Sequence, residues 1–264
     1  MAPRTDPSAA RRRALVLAAT EPARTLVSAG GAVAAGLPLL RWAPRGEPHP
    51  VLVLPGLLAS DVSTRVLRTW LGRLGYPVVG WALGRNRGPT REVDDELPRL
   101  VDRLAGEHGT SVSIVGWSLG GIYARRLARQ APRQVRQVIS LGSPFSLVER
   151  PLGDSPGGRV YRRLAPAPAG GRTRSPRGSL ARPLPVPSTA VYSRWDGVVD
   201  WRACRQKAGP RSENIAVRSS HLGMGHDPAV LWIVADRLAQ PRHEWQPFER
   251  PSRFGLATLF PPED

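Results

Sequence analysis

Ser118 lies in Gly116-Trp117-Ser118-Leu119-Gly120-Gly121, a serine between glycines at G-x-S-x-G spacing. A serine hydroxyl is a weak nucleophile until a base removes its proton, so this spacing matters only if a histidine and an orienting carboxylate accompany it. The glycines have a steric role. A sharp strand-to-helix turn lifts the serine clear of the backbone, and side chains at the flanking positions would collide with neighbouring elements. A chain with 27 glycines can produce the pattern by composition, which would make Ser118 an incidental turn serine. Its context argues otherwise: the apolar run Ser111–Val115 precedes it and an amphipathic stretch, Leu119–Gln130, follows.

Candidate partners lie C-terminal to it. Asp196 comes just after the apolar run Thr189–Ser193, in Ser193-Arg194-Trp195-Asp196-Gly197-Val198-Val199, with Asp200 as the alternative acid. His221 follows Ile215–Arg218 directly, in Ser219-Ser220-His221-Leu222-Gly223, with His226 as the alternative base. His49, His108 and His243 are assigned to surface or packing. Acyl transfer at Ser118 would also need two backbone N–H donors for the tetrahedral oxyanion. Leu119, next after the serine, is one candidate. Leu57 is the other, in Leu54-Pro55-Gly56-Leu57-Leu58, where Gly56 permits an unusual backbone. A plain strand-to-helix turn is the alternative for that loop.

The elements that must position these residues alternate from Pro50 onward. Val51-Leu52-Val53-Leu54 is apolar on both faces, as a strand inside a parallel sheet should be. Asp61 is placed to cap a helix carrying Val66, Leu67, Trp70, Leu71 and Leu74. A strand over Pro77–Leu83 leads through a Gly- and Arg-rich turn to a helix marked by Val93, Leu97, Leu100, Val101 and Leu104; Pro98 either kinks it or begins its regular part. Further strands are expected at Ser111–Val115, Val135–Leu141, Thr189–Ser193 and Ile215–Arg218. Asp227-Pro228 has the cap chemistry of a last helix. The reading is an α/β domain with a mostly parallel sheet flanked by helices.

Residues 1–47 read as a helical or partly disordered N-terminal segment, 48–240 as the α/β domain and 241–264 as a tail. Residues 149–187, rich in Arg, Pro and Gly, interrupt the alternation as a cap or lid, or as a solvated loop. Arg11, Arg12 and Arg13 before Ala14–Ala19 faintly resemble an export signal, but Glu21, Pro22 and Arg24 end the run early. Thr25–Leu40 is shorter than the roughly 20 strongly apolar residues of a spanning helix. The segment is expected to pack on the domain, or loosely on a membrane, and the protein to be cytoplasmic, with export as the alternative.

The net charge of +17 raises nucleic acid or an anionic surface as partner. Lys207 is the only lysine, so the charge is almost all arginine and accords with codon bias. Tyr161 is the only aromatic residue within Ser155–Pro187, which argues against a nucleic-acid patch. Cys204 is the only cysteine: no intrachain disulfide can form, no zinc spacing exists, and a nucleophilic role has little support.

Taken together, Pro55-Gly56-Leu57-Leu58, Gly116–Gly121, Asp196-Gly197-Val198-Val199 and Ser220-His221-Leu222-Gly223 resemble the α/β-hydrolase superfamily, and within it the small bacterial lipases and esterases, over about residues 48 to 240. The resemblance implies an acyl-enzyme route with Ser118, Asp196 and His221 as triad, no metal or organic cofactor, and a small-molecule or lipid ester as substrate. Acyl transfer to another acceptor, or thioester cleavage, would use the same residues; a non-catalytic basic binding module is the reading from a different class. Two departures stand out. Pro55-Gly56 replaces the His-Gly of many relatives, and no strand is legible before Pro50, which suggests a reduced sheet of about six strands.

Overall fold

The structure, a computed structural model, describes residues 7–146, 180–251 and 256–261. A long helix α1 (Pro7–Trp42) precedes the alternating part: β1 (Val51–Leu54), α2 (Arg65–Arg73), β2 (Val78–Gly80), α3 (Arg91–His108), β3 (Val112–Trp117), α4 (Leu119–Gln130) and β4 (Val135–Leu141). After residues 147–179, on which most of the expected cap falls and which lie outside the described residues, come β5 (Ser188–Ser193), β6 (Ser212–Val217) and α5 (Pro228–Ala239). The six strands form one sheet in the order β2-β1-β3-β4-β5-β6, and every neighbouring pair is parallel. The six-strand expectation is met.

Strand periodicity divides the core into two layers. Val51, Val53, Val115, Ile139 and Val191 face α2, α5 and the C-terminal part of α1, while Leu52, Leu54, Ile114 and Val138 face α3 and α4. Leu67, Trp70, Leu71 and Leu74 present one buried face of α2 to the first layer; Val93, Leu97, Leu100, Val101 and Leu104 do the same for α3 in the second. Each such fully buried aliphatic side chain contributes about 1.5–3 kcal/mol.

Several local expectations changed on folding. Helix α3 runs through Pro98, opened by Thr90, whose hydroxyl accepts the Val93 N–H at 3.2 Å. Asp61 does not cap α2. Its carboxylate accepts the N–H groups of Trp81 and Ala82, each at 3.0 Å, where β2 ends. Those donors leave the ladder as Ala82 turns to φ 60°, which also makes β2 shorter than Pro77–Leu83. Asp227 does cap α5, accepting the Ala229 N–H at 2.9 Å. The C-terminal residues pack on the domain: Phe260 is buried, its ring 5.6 Å from that of Phe248, and the Phe248 N–H donates to Glu213. Arg125 of α4, fully buried, receives the returning chain by donating to the carbonyls of Leu180 (2.6 Å) and Arg182 (2.9 Å) and to Gln206 Oε1 (2.7 Å).

Candidate active site

In an open parallel sheet the loops beyond the carboxyl ends of the strands meet in a crevice where the strand order reverses. The chain leaves β1 for β2 on one side and returns to β3 on the other, so the crevice lies between the loops after β1 and β3. Gly56 follows β1 and Ser118 follows β3. A Cβ built on Gly56 would lie 3.2 Å from Ser118 Cβ and 3.8 Å from its Oγ, so this glycine gives the serine its space.

Ser118 has φ 53° and ψ −119°, a backbone conformation that L side chains rarely adopt. Its N–H donates to Leu141 O at the end of β4, at 2.8 Å. The turn closes only because its flanks are bare. A Cβ at Gly116 would lie 2.5 Å from the Gly120 carbonyl; one at Gly120 would lie 2.8 Å from the Leu54 carbonyl carbon; one at Gly121 would lie 2.7 Å from Ser143 Cβ. Strand β3 runs two residues further than Ser111–Val115, carrying pairing up to the serine itself.

The acid loop after β5 and the histidine loop after β6 converge at the same sheet edge. His221 Nδ1 is 2.6 Å from Asp196 Oδ2, with both side chains almost wholly buried. The other carboxylate oxygen, Oδ1, accepts the N–H groups of Val198 (2.9 Å) and Val199 (2.7 Å). The carboxylate is therefore held by its own loop and turned toward the imidazole. Burial works against the charged imidazole, but the charge and hydrogen bond of Asp196, with the charge of Glu21 behind them, outweigh it and raise the His221 pKa above the ordinary 6.5. Trp117, the residue before the serine, donates its indole N–H to His221 O at 3.1 Å and so ties the histidine loop to the elbow. Among the described residues Ser118 Oγ makes no hydrogen bond to the imidazole, and neither the Leu57 nor the Leu119 N–H has an acceptor. Such contacts commonly close only around a bound substrate.

The alternatives raised by the sequence sit elsewhere. Asp200 is half exposed, accepts the Arg202 N–H and pairs with the Arg202 guanidinium at 3.6 Å. His226 packs edge-on against Trp117, its pKa lowered by burial. Cys204 is buried, and burial, then the charges of Asp196 and Asp200, push its thiol well up, so it stays protonated. A second serine–histidine pair, Ser113 Oγ to His49 Nε2 at 2.8 Å, lies at the amino ends of β3 and β1, the wrong edge for this crevice. The His49 Nδ1 hydrogen bond goes to the Glu47 carbonyl, not to a carboxylate, and burial is the main cause of a pKa near 4. Sequence reasoning missed Glu21, whose carboxylate reaches both loops. It is the only acidic residue of α1, and that isolation was the available signal.

Among the described residues no cluster of His, Cys, Asp or Glu could hold a metal ion, and no helix is long and apolar enough to cross a membrane. No family model matches the chain. Serine hydrolase BPHL of Mus musculus is 29% identical over 113 residues, 38% of each chain. A pimeloyl-[acyl-carrier protein] methyl ester esterase of Nitrosomonas europaea is 38% identical over 68 residues, 25% of each. The matched stretches thus span well under half of these relatives. Among solved structures, Aspergillus fumigatus lipase B aligns with a TM-score of 0.53 and 18% identity over 84% of this chain and 62% of that one. Lipase BlEst2 of Bacillus licheniformis aligns with a TM-score of 0.52 and 16% identity over 74% and 93%. Likeness at such identity speaks to architecture alone, and that architecture is the α/β-hydrolase fold.

Proposed function

We propose that the protein is a serine hydrolase of carboxylic esters. The observation that carries this reading is the buried 2.6 Å contact between His221 Nδ1 and Asp196 Oδ2, at the sheet edge where Ser118 stands in a strained turn. Asp196 holds the proton on Nδ1, leaving the Nε2 lone pair to accept the Ser118 proton as Oγ attacks the ester carbonyl. The oxyanion is met by the N–H groups of Leu57 and Leu119. Protonated His221 then returns its proton to the departing alkoxide, leaving an acyl-Ser118 ester, and a water activated in the same way releases the acid. The raised pKa of His221 suits it to carry the proton between these steps.

An ester with a hydrocarbon moiety fits the surroundings. Leu58 and Leu222, next in sequence to the oxyanion residue and the base, are 42% and 46% exposed and offer apolar surface to such a moiety. The exposed Leu15, Val16, Leu26 and Val27 of α1 suit an ester presented at a lipid surface. The test is labelling by a fluorophosphonate probe together with hydrolysis of p-nitrophenyl esters of graded chain length. Wild type should react and Ser118→Ala should not, both being folded by circular dichroism. Folded wild type inert to the probe and to every ester would sink the proposal; added alcohol or amine acceptors separate hydrolysis from transfer.

A further inference from the structure

Glu21 and the two loops it touches are brought together only by the packing of α1. Its side chain is buried, although α1 is otherwise exposed over much of its length. A buried carboxylate is tolerated only when it is hydrogen-bonded or paired. Here Oε1 accepts the Gly197 N–H at 2.7 Å and the His221 N–H at 3.0 Å, and Oε2 accepts the Leu222 N–H at 3.3 Å. The first donor belongs to the residue after Asp196 and the second to His221 itself. Arg24, one turn on, is 3.3 Å from Glu21 Oε1 and donates to Trp195 O in the acid loop. Thr25 Oγ1 adds a 3.1 Å hydrogen bond to Ser220 in the histidine loop. The fit is tight: a Cβ on Gly197 would lie 2.5 Å from the Leu17 carbonyl carbon and 2.8 Å from Ala18 N.

We propose that Glu21 is a positioning residue, a buried carboxylate on α1 that clamps the Asp196 loop to the His221 loop and supports the charge of the imidazole. The inference rests on the Ser118–His221–Asp196 reading and adds to it. These loops leave different strands, β5 and β6, and their backbone N–H groups have no strand partner beyond the sheet edge. The β5–β6 ladder ends at Ser193 and Val217, short of Asp196 and His221, so pairing in the sheet leaves the last part of their separation to be set by the loops. One carboxylate taking a donor from each loop fixes it. It also puts a second negative charge behind the imidazole, favouring the imidazolium formed when Ser118 is deprotonated. The groups around His221 are Asp196 on the acid loop, Glu21 with its counter-charge Arg24 on α1, Trp117 on β3, the Gly142 backbone after β4, and Met224 on its own loop; Asp200 and the protonated Cys204 lie behind Asp196.

The test uses the full chain and two variants, with two readouts: the titration midpoint of His221 by NMR, and the pH dependence of fluorophosphonate labelling. Glu21→Gln keeps a carbonyl oxygen for the Gly197 and His221 N–H groups but removes the charge, so the His221 midpoint and the acid limb of labelling should both move to lower pH. Glu21→Ala removes the acceptor as well and should lose about tenfold or more of the labelling rate, the scale expected when reacting groups lose sub-ångström placement. A residue that merely stabilised α1 would leave the Glu21→Gln midpoint at the wild-type value. That result overturns the proposal, as does a folded Glu21→Ala that labels at the wild-type rate. If Glu21→Ala does not fold, the Glu21→Gln midpoint decides alone. If wild type itself fails to label, the Ser118 reading has failed, and the midpoint still reports whether Glu21 acts on His221.

Discussion

Asp196→Asn replaces one oxygen by NH2 and little else, and the structure dictates which one. Oδ1 accepts N–H groups from Val198 and Val199 at 2.9 and 2.7 Å. An asparagine must keep its oxygen there, because the flipped amide would face two donors with a third and lose two hydrogen bonds, each worth about 1 kcal/mol. The NH2 group therefore points at His221 Nδ1, which must become an acceptor, so the imidazole carries its proton on Nε2. In that tautomer Nε2 has no lone pair for the Ser118 proton. The expected loss in kcat/KM is about 10³–10⁴-fold, corresponding to about 4–5.5 kcal/mol of transition-state stabilisation. The His221 midpoint should also fall, because Asp196 is the main source of its elevation, and the acid limb of kcat/KM should shift to lower pH with it. Stability follows the same sign. A folded-state pKa above 6.5 contributes stability that is fully present below that value and lost as pH rises through the folded pKa. The advantage of wild type over Asp196→Asn should therefore be larger at pH 5.5 than at pH 8.5. Steady-state ester hydrolysis with urea unfolding at both pH values measures all three effects. An Asp196→Asn enzyme within tenfold of wild type, or an equal loss from Asp200→Asn, would refute the reasoning.

Gly120→Ala places a Cβ 2.8 Å from the Leu54 carbonyl carbon and 2.9 Å from Pro55 O; both are backbone atoms, so α4 or β1 must shift, and thermal unfolding should show about 1–3 kcal/mol of destabilisation together with impaired probe labelling. Labelling at the wild-type rate by a fully stable Gly120→Ala would contradict this. His49, with a folded pKa near 4, should withdraw on the order of 3 kcal/mol of stability as pH falls from above 6.5 to about 4, because the unfolded chain takes up the proton first. His49→Gln should flatten that pH dependence in urea titrations while leaving ester hydrolysis near the wild-type rate. A catalytic His49 would instead abolish it.

Much of the fold was legible because its signals are local. A two-sided apolar run marked β1, the strands expected at Val135–Leu141 and Thr189–Ser193 matched β4 and β5 to within a residue, the helical spacing over Leu119–Gln130 gave α4 to the residue, and Asp227-Pro228 marked the start of α5. Asp61 shows where local reading fails. Its position before α2 suggested a cap, yet the stranded N–H groups of Trp81 and Ala82, about twenty residues on, were the stronger claim on its carboxylate. No window of sequence contains both ends of that contact.

The candidate site divides in the same way. The residues around Ser118 carry their own geometry: only glycine fits at 116, 120 and 121, and the turn they permit follows from hard-sphere contact with neighbours close in the chain or on the adjoining strand. The sequence by itself could therefore name a strained serine between a strand and a helix, and could bring an acid and a histidine to the ends of two later strands. It favoured Asp196 over Asp200 and His221 over His226 from their place after a strand, but did not fix where each side chain points, because the members of each pair lie close together in the chain. Tertiary structure supplied that direction. The parallel order of β3, β4, β5 and β6 brought the loops to one edge, the 2.6 Å contact paired Asp196 with His221, and α1, remote in sequence, set Glu21 between the two loops. A hydrogen bond depends on tenths of an ångström, and only the packed chain sets positions that finely across 175 residues or more.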